Sequence, residues 1–148
     1  MFSNFFKIII PKTKIIFIVE DNEIYGKSLN TFIKNRFPKI KEIKTFRIGE
    51  MCLLEMHRNP SIVIMDYFLN SKYEEANNGL EIIKSIKILK PKTEIIVLSI
   101  QKNFNDITEA VKQYGCTYVH KDQTAFNKVE QIVKEIFNRP TSAFEPRV

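Results

Sequence analysis

The sequence predicts an α/β fold, a parallel sheet with helices on both faces. Three observations predict it. Five apolar runs of strand length alternate with five segments of helical period along the chain. The first of these runs is continuously apolar, as in a strand buried on both faces. The runs also end in Glu20 and Asp21, in Asp66, in Ser99 and in Lys121. Parallel strands send their carboxyl ends to one edge, where ligands bind. Four strand ends thus bring three carboxylates, a hydroxyl and an amine to one place.

The elements follow in order. Residues 14–19, KIIFIV, read as the first strand, and 23–37 as a helix placing Ile24, Leu29, Phe32, Ile33 and Phe37 at helical spacing until Pro38 closes it. Residues 42–48, EIKTFRI, alternate like a strand near the sheet edge, and Gly49 leads into a short helix through His57. Pro60 precedes the third strand, SIVIMD. A polar stretch over 67–78 follows, and Gly79 opens a helix carrying Leu80, Ile83, Ile86 and Leu89, which Pro91 ends. EIIVLS is the fourth strand, and 103–114 reads as helix with Ile107, Ala110, Val111 and Tyr114. Gly115 leads into CTYVHK, the fifth strand. Residues 124–137 form the last helix, with Phe126, Val129, Ile132, Val133 and Ile136 inward, and Pro140 begins a tail. Each crossover is expected to be right-handed.

At 148 residues, 44% apolar and 27% charged, the chain has the size and composition of one globular domain. Its net charge of +6 raises nucleic-acid binding. The lysines are scattered without a tight basic run, however, and solvated helix and strand faces are the expected explanation. Cys52 and Cys116 form neither CxxC nor a metal-ligand pair with a nearby His, so both are expected as small buried hydrophobes in a reducing cytosol. No apolar run approaches the about 20 residues of a membrane span. The opening MFSNFFKIII lacks a basic leader region and a small-residue cleavage site, so a packed segment or a contact patch is expected instead of a signal peptide.

Adjacent acids at a strand end repel unless a cation or proton intervenes. With Asp66 beside Glu20 and Asp21, three carboxylates make a natural seat for Mg²⁺, which prefers oxygen ligands and bridges to phosphate. Asp66, a lone acid at the end of the central strand, is the candidate nucleophile, and carboxylate attack on phosphorus gives an aspartyl-phosphate. Lys121 supplies positive charge to phosphoryl oxygens and Ser99 a hydrogen bond. Each residue taken singly has an ordinary alternative. Glu20 and Asp21 could cap the following helix, Asp66 could be a turn residue, Ser99 could cap a helix, and Lys121 could be solvated. Their joint placement at one sheet edge favours a shared site.

In this order the residues resemble the receiver domain of bacterial response regulators, over about residues 13–137. IIFIVEDNE carries the acid pair, IVIMDYFL the phosphoacceptor, NGLEIIKSIK the following helix, VLSI the hydroxyl, and YGCTYVHK the aromatic and the lysine. The resemblance implies a flavodoxin-like (βα)5 three-layer sandwich whose five-stranded parallel sheet has the order 2-1-3-4-5. It divides the chain into an N-terminal extension (1–12), a receiver domain (13–138) and a C-terminal tail (139–148). It implies that Asp66 is phosphorylated by a sensor histidine kinase or a His phosphotransfer protein. Asp21, Asp66 and the backbone carbonyl of Phe68 would then bind Mg²⁺, with Glu20 helping through water. Ser99 and Lys121 would grip the phosphoryl group, and Tyr118 matches the aromatic that changes rotamer with the switch. A cytoplasmic signalling protein with a downstream effector partner is expected, with no direct binding of nucleic acid or membrane. Self-phosphorylation and self-dephosphorylation are the only catalysis expected. Family habit also allows a homodimer through the fourth and fifth helices, and a stand-alone receiver is expected from the span of the resemblance.

The sequence departs from the family pattern in places. Asn70 stands where a Pro is usual, and SKYEEANN lengthens the segment before Gly79. Ile100 replaces a small residue and is expected to narrow access for phosphodonors. Asp122 replaces the frequent Pro after Lys121, so a cis bond there, costing about 3 kcal/mol, is not assumed. His120 is expected to face away from the site. Two rivals are a phosphorylation-independent interaction module and a phosphatase using Asp66, although Phe68 stands where such enzymes carry a second acid. A flavin module is disfavoured because no Gly/Ser/Thr-rich phosphate loop follows the first strand.

Overall fold

Residues 13–68, 79–100 and 105–139 are described by the computed structural model. Five strands form one parallel sheet: β1 (Ile15–Val19), β2 (Glu42–Phe46), β3 (Ile62–Asp66), β4 (Glu94–Ser99) and β5 (Thr117–His120). Their order is β2-β1-β3-β4-β5, as the resemblance implied. The helices are α1 (Glu23–Arg36), α2 (Gly49–Leu53), α3 (Gly79–Leu89), α4 (Asn105–Tyr114) and α5 (Ala125–Phe137). Residues 1–12, the whole SKYEEANN stretch with Asn70, the first residues of the helix expected over 103–114 and the tail from Pro140 lie outside the described residues.

Alternate residues of each buried strand serve different layers, because successive side chains leave a strand on opposite faces. Phe17, Val19, Val63, Met65, Ile95 and Val97 pack with Cys52, Ile82, Ile83, Ile86 and Ile107 from α2, α3 and α4. Ile16, Ile18, Ile62, Ile64, Ile96, Leu98 and Val119 pack with Leu29, Ile33, Val129 and Val133 from α1 and α5. Burying each large aliphatic side chain stabilises the fold by about 1.5–3 kcal/mol, so the two cores hold the sandwich from both sides. Edge strand β2 is only half-buried until Phe46, consistent with its alternating sequence.

Local chemistry sets the helix ends. The Asn22 side chain accepts from the Tyr25 amide at 2.9 Å and caps α1, so the cap is Asn22 and not the acid pair. Gly115, at φ 67°, closes α4 in the left-handed conformation that glycine adopts without strain. Gly79 has a different reason to be glycine: a Cβ there would lie 2.4 Å from the Tyr67 carbonyl oxygen. Its amide donates to that same oxygen at 3.1 Å.

Several expectations need correction. The helix expected over 49–57 is two pieces, α2 and a 3-10 turn at Met56–Arg58, with Asn59 in the left-handed region ending it. Cys116 lies just ahead of β5, not within it, although it and Cys52 are buried as expected. Ile24 is 80% exposed, because the inward arc of α1 runs through Gly26, Leu29 and Ile33, and Ile24 lies two positions, about 200°, from Gly26. Leu89 is 51% exposed at the last turn of α3, where it lines an open cavity of about 780 Å³ with Pro60, Lys90 and Ile136 at the amino edge of the sheet. Among the described residues no helix is long and apolar enough to cross a membrane.

Candidate functional site

The polar residues at the strand ends do meet. The parallel ladder continues one residue past the strands at three places: Glu20 N donates to Phe46 O at 2.9 Å, Tyr67 N to Leu98 O at 3.0 Å, and Lys121 N to Ser99 O at 2.8 Å. The backbone beside each site side chain is therefore pinned by the sheet itself, which fixes the site before any ligand arrives.

Lys121 is the hub. Its Nζ donates to Glu20 Oε1 at 2.5 Å and to Asp66 Oδ2 at 3.0 Å. The lysine side chain is only 14% exposed, so it is not a solvated surface charge. Glu20 and Asp66 are buried, Asp21 is half-buried, and the three acids present carboxylate oxygens within 4.8 Å of one another. This arrangement answers the objection that each residue is ordinary. Asp66 does also behave as a turn residue, since its Oδ1 accepts from Phe68 N at 3.1 Å, but the other oxygen is committed to Lys121.

The electrostatics follow from burial and charge. Desolvation pushes the Glu20 carboxyl up to about 7; the Lys121 hydrogen bond and charge oppose the rise and the Asp66 charge adds to it. For Lys121, burial alone would lower the pKa, but its hydrogen bond to Glu20 and the charges of Asp66 and Glu20 outweigh burial and hold the amine above its usual value. Three acids facing one ammonium leave excess negative charge. A divalent cation relieves that excess, and an all-oxygen donor set suits Mg²⁺.

Ser99 is fully buried at the end of β4. By strand parity it leaves the sheet on the face of Val97, the face on which Tyr118 also packs. His120, two residues from Tyr118 on β5, places Nδ1 3.5 Å from the Tyr118 hydroxyl. Phe68 and Ile100 stand exposed, Ile100 at 68%. The Lys121–Asp122 bond is trans, as all peptide bonds among the described residues are. Asp122 instead accepts from Thr124 N at 2.8 Å and Thr124 Oγ1 at 2.6 Å, at the entry to α5.

Sequence reasoning missed one neighbour of the site. Tyr25, in the first turn of α1, places its ring centroid 4.4 Å from Lys121 Nζ. No spacing signal links residues so far apart in the chain.

A five-stranded 2-1-3-4-5 sheet with an acid pair, a buried acid and a paired lysine at its carboxyl edge defines a receiver domain. The chain belongs to the response regulator receiver domain family, whose profile matches residues 16–134. Receiver domains of two-component systems are, as a family, signalling phosphoacceptors that bind Mg²⁺ at an acidic cluster and interact with kinases and effectors. No curated protein matches the chain by sequence. Among solved structures it is similar to the BeF3-activated DrrB receiver domain (24% identity, 85% of this chain and 98% of that one, TM-score 0.67). It is also similar to the signal receiver domain of a DNA-binding response regulator from Colwellia psychrerythraea 34H (20% identity, 85% and 99%, TM-score 0.68). The RcsB response regulator of Salmonella typhimurium matches with a TM-score of 0.68 at 17% identity over 81% of this chain. There this chain spans only 57% of the other. Likeness at these identities speaks for the fold alone.

Proposed function

We propose that the protein accepts a phosphoryl group on Asp66 from a histidine kinase or His phosphotransfer protein, and signals to an effector by a change of shape. The observation that carries this reading is Lys121 Nζ at 3.0 Å from Asp66 Oδ2, inside a group of three acids.

In the transfer, an Asp66 carboxylate oxygen attacks phosphorus. The phosphorus–nitrogen bond of the donor phosphohistidine breaks, and its electron pair leaves with the imidazole. Lys121, already against Asp66, stays within reach of the new phosphoryl oxygens and offsets their charge. The Ser99 hydroxyl donates to another of these oxygens, and Tyr118 follows it as the aromatic of the switch. Asp21, Asp66 and the Phe68 carbonyl would hold Mg²⁺, with Glu20 contributing through water. The ion neutralises charge on the phosphoryl group. Phosphorylation would then bias an existing two-state equilibrium.

The test is incubation with Mg²⁺ and acetyl phosphate, followed by mass analysis. A phosphoryl increment on Asp66, lost in Asp66→Asn and without turnover of unrelated phosphomonoesters, is the expected result. No increment on the folded protein would favour the phosphorylation-independent module. Turnover of phosphomonoesters would favour a phosphatase.

A further inference from the structure

We propose that Tyr25 is a positioning residue for Lys121: its ring face backs the ammonium and keeps it turned toward Glu20 and Asp66. This rests on the receiver reading for its functional consequence, though not for its geometry.

Lys121 Nζ lies 4.4 Å from the Tyr25 ring centroid, within the about 6 Å over which a ring attracts a cation. The ammonium is thus enclosed by one carboxylate at 2.5 Å, another at 3.0 Å and an aromatic face. The ring is itself held from two sides. The Tyr25 amide is tied to the Asn22 cap at 2.9 Å, and Phe126 of α5 packs edge-on at 5.4 Å. Phe32 stands behind Phe126 at 5.3 Å, so the row of rings bridges α1 and α5.

The Tyr25 hydroxyl is buried and finds no hydrogen-bond partner among the described residues. Burial accordingly pushes the phenol pKa up, with the Lys121 charge opposing. The part of Tyr25 that touches the site is therefore its ring, and phenylalanine should serve as well. A lysine without this backing can swing its flexible stem toward water, away from the place where phosphoryl charge develops.

Three variants test the idea: Tyr25→Phe, Tyr25→Leu and, should the leucine variant fold poorly, Tyr25→Met. Two readouts are taken, the rate of phosphoryl incorporation from acetyl phosphate with Mg²⁺, and the ¹⁵Nζ–H signal of the Lys121 ammonium without donor. The phenylalanine variant should match the parent in both. Leucine or methionine should slow incorporation about fivefold to thirtyfold and lose the sheltered ammonium signal. Parental rate and signal in a folded leucine or methionine variant would overturn the proposal. So would equal losses in the phenylalanine variant, which would assign the effect to the hydroxyl. If the parent incorporates no phosphoryl group, the phosphoacceptor reading fails; the ammonium signal still decides what Tyr25 does.

Discussion

Glu20→Gln should flatten the pH dependence of stability in metal-free solution. The buried Glu20 carboxyl sits at about 7, against the usual 4.5, chiefly because of burial. Below pH 4.5 the residue is protonated in both folded and unfolded chains, and its contribution is fully present. As pH rises the unfolded chain releases its proton first, and the folded state falls behind until its own carboxyl ionises near 7. At about 1.4 kcal/mol per pH unit, the parent loses about 3 kcal/mol across that window relative to the glutamine variant. Urea denaturation at stepped pH with a chelator measures the difference between the two proteins, which cancels the titrating groups remote from Glu20. Adding Mg²⁺ at pH 7.5 should restore the parent more than the variant, because a cation favours the ionised carboxylate. A parent-minus-variant difference that stays level from pH 4.5 to 7.5 would refute the reasoning.

Two further expectations concern particular positions. Gly79→Ala sets a Cβ against backbone atoms of Tyr67 at 2.4 and 2.9 Å, which cannot rotate away, and should cost at least about 2 kcal/mol. Gly115→Ala meets nothing within 4 Å and should cost only about 1 kcal/mol for its left-handed backbone; chemical denaturation that ranks the two the other way would contradict this. Burial pushes the Cys52 thiol to about 12 and Cys116 to about 11, so a thiol reagent at pH 8 should label neither in the folded protein and both in urea, as read by mass.

The sheet was legible in the sequence because buried parallel strands must be apolar on both sides. Ile15–Val19 and Ile62–Asp66 leave no other reading, and the alternation of Ile16 and Ile18 with Phe17 and Val19 even divides the two layers. Helical faces were less legible at their ends. Ile24 and Leu89 belong to apolar patterns but lie off the arc of α1 and at the amino edge of the sheet, where the described residues leave them exposed. The segment after Gly49 also misled, since two short turns share the apolar spacing of one helix. At the site, residues ending strands could be placed together because topology delivers them to one edge. Tyr25 could not, because it lies past its strand end, in the first turn of α1, and no spacing in the sequence ties it to Lys121.

The pinch between Gly79 and Tyr67 bears on how this chain tolerates change. Gly79 N donates to Tyr67 O at 3.1 Å, so two positions that flank 69–78 in sequence are tied together one residue beyond Asp66. A doubling of a flexible loop costs only about 0.6 kcal/mol in closure entropy. That tie keeps Asp66 where β3 sets it, and changes of length between Tyr67 and Gly79 should therefore alter folding little.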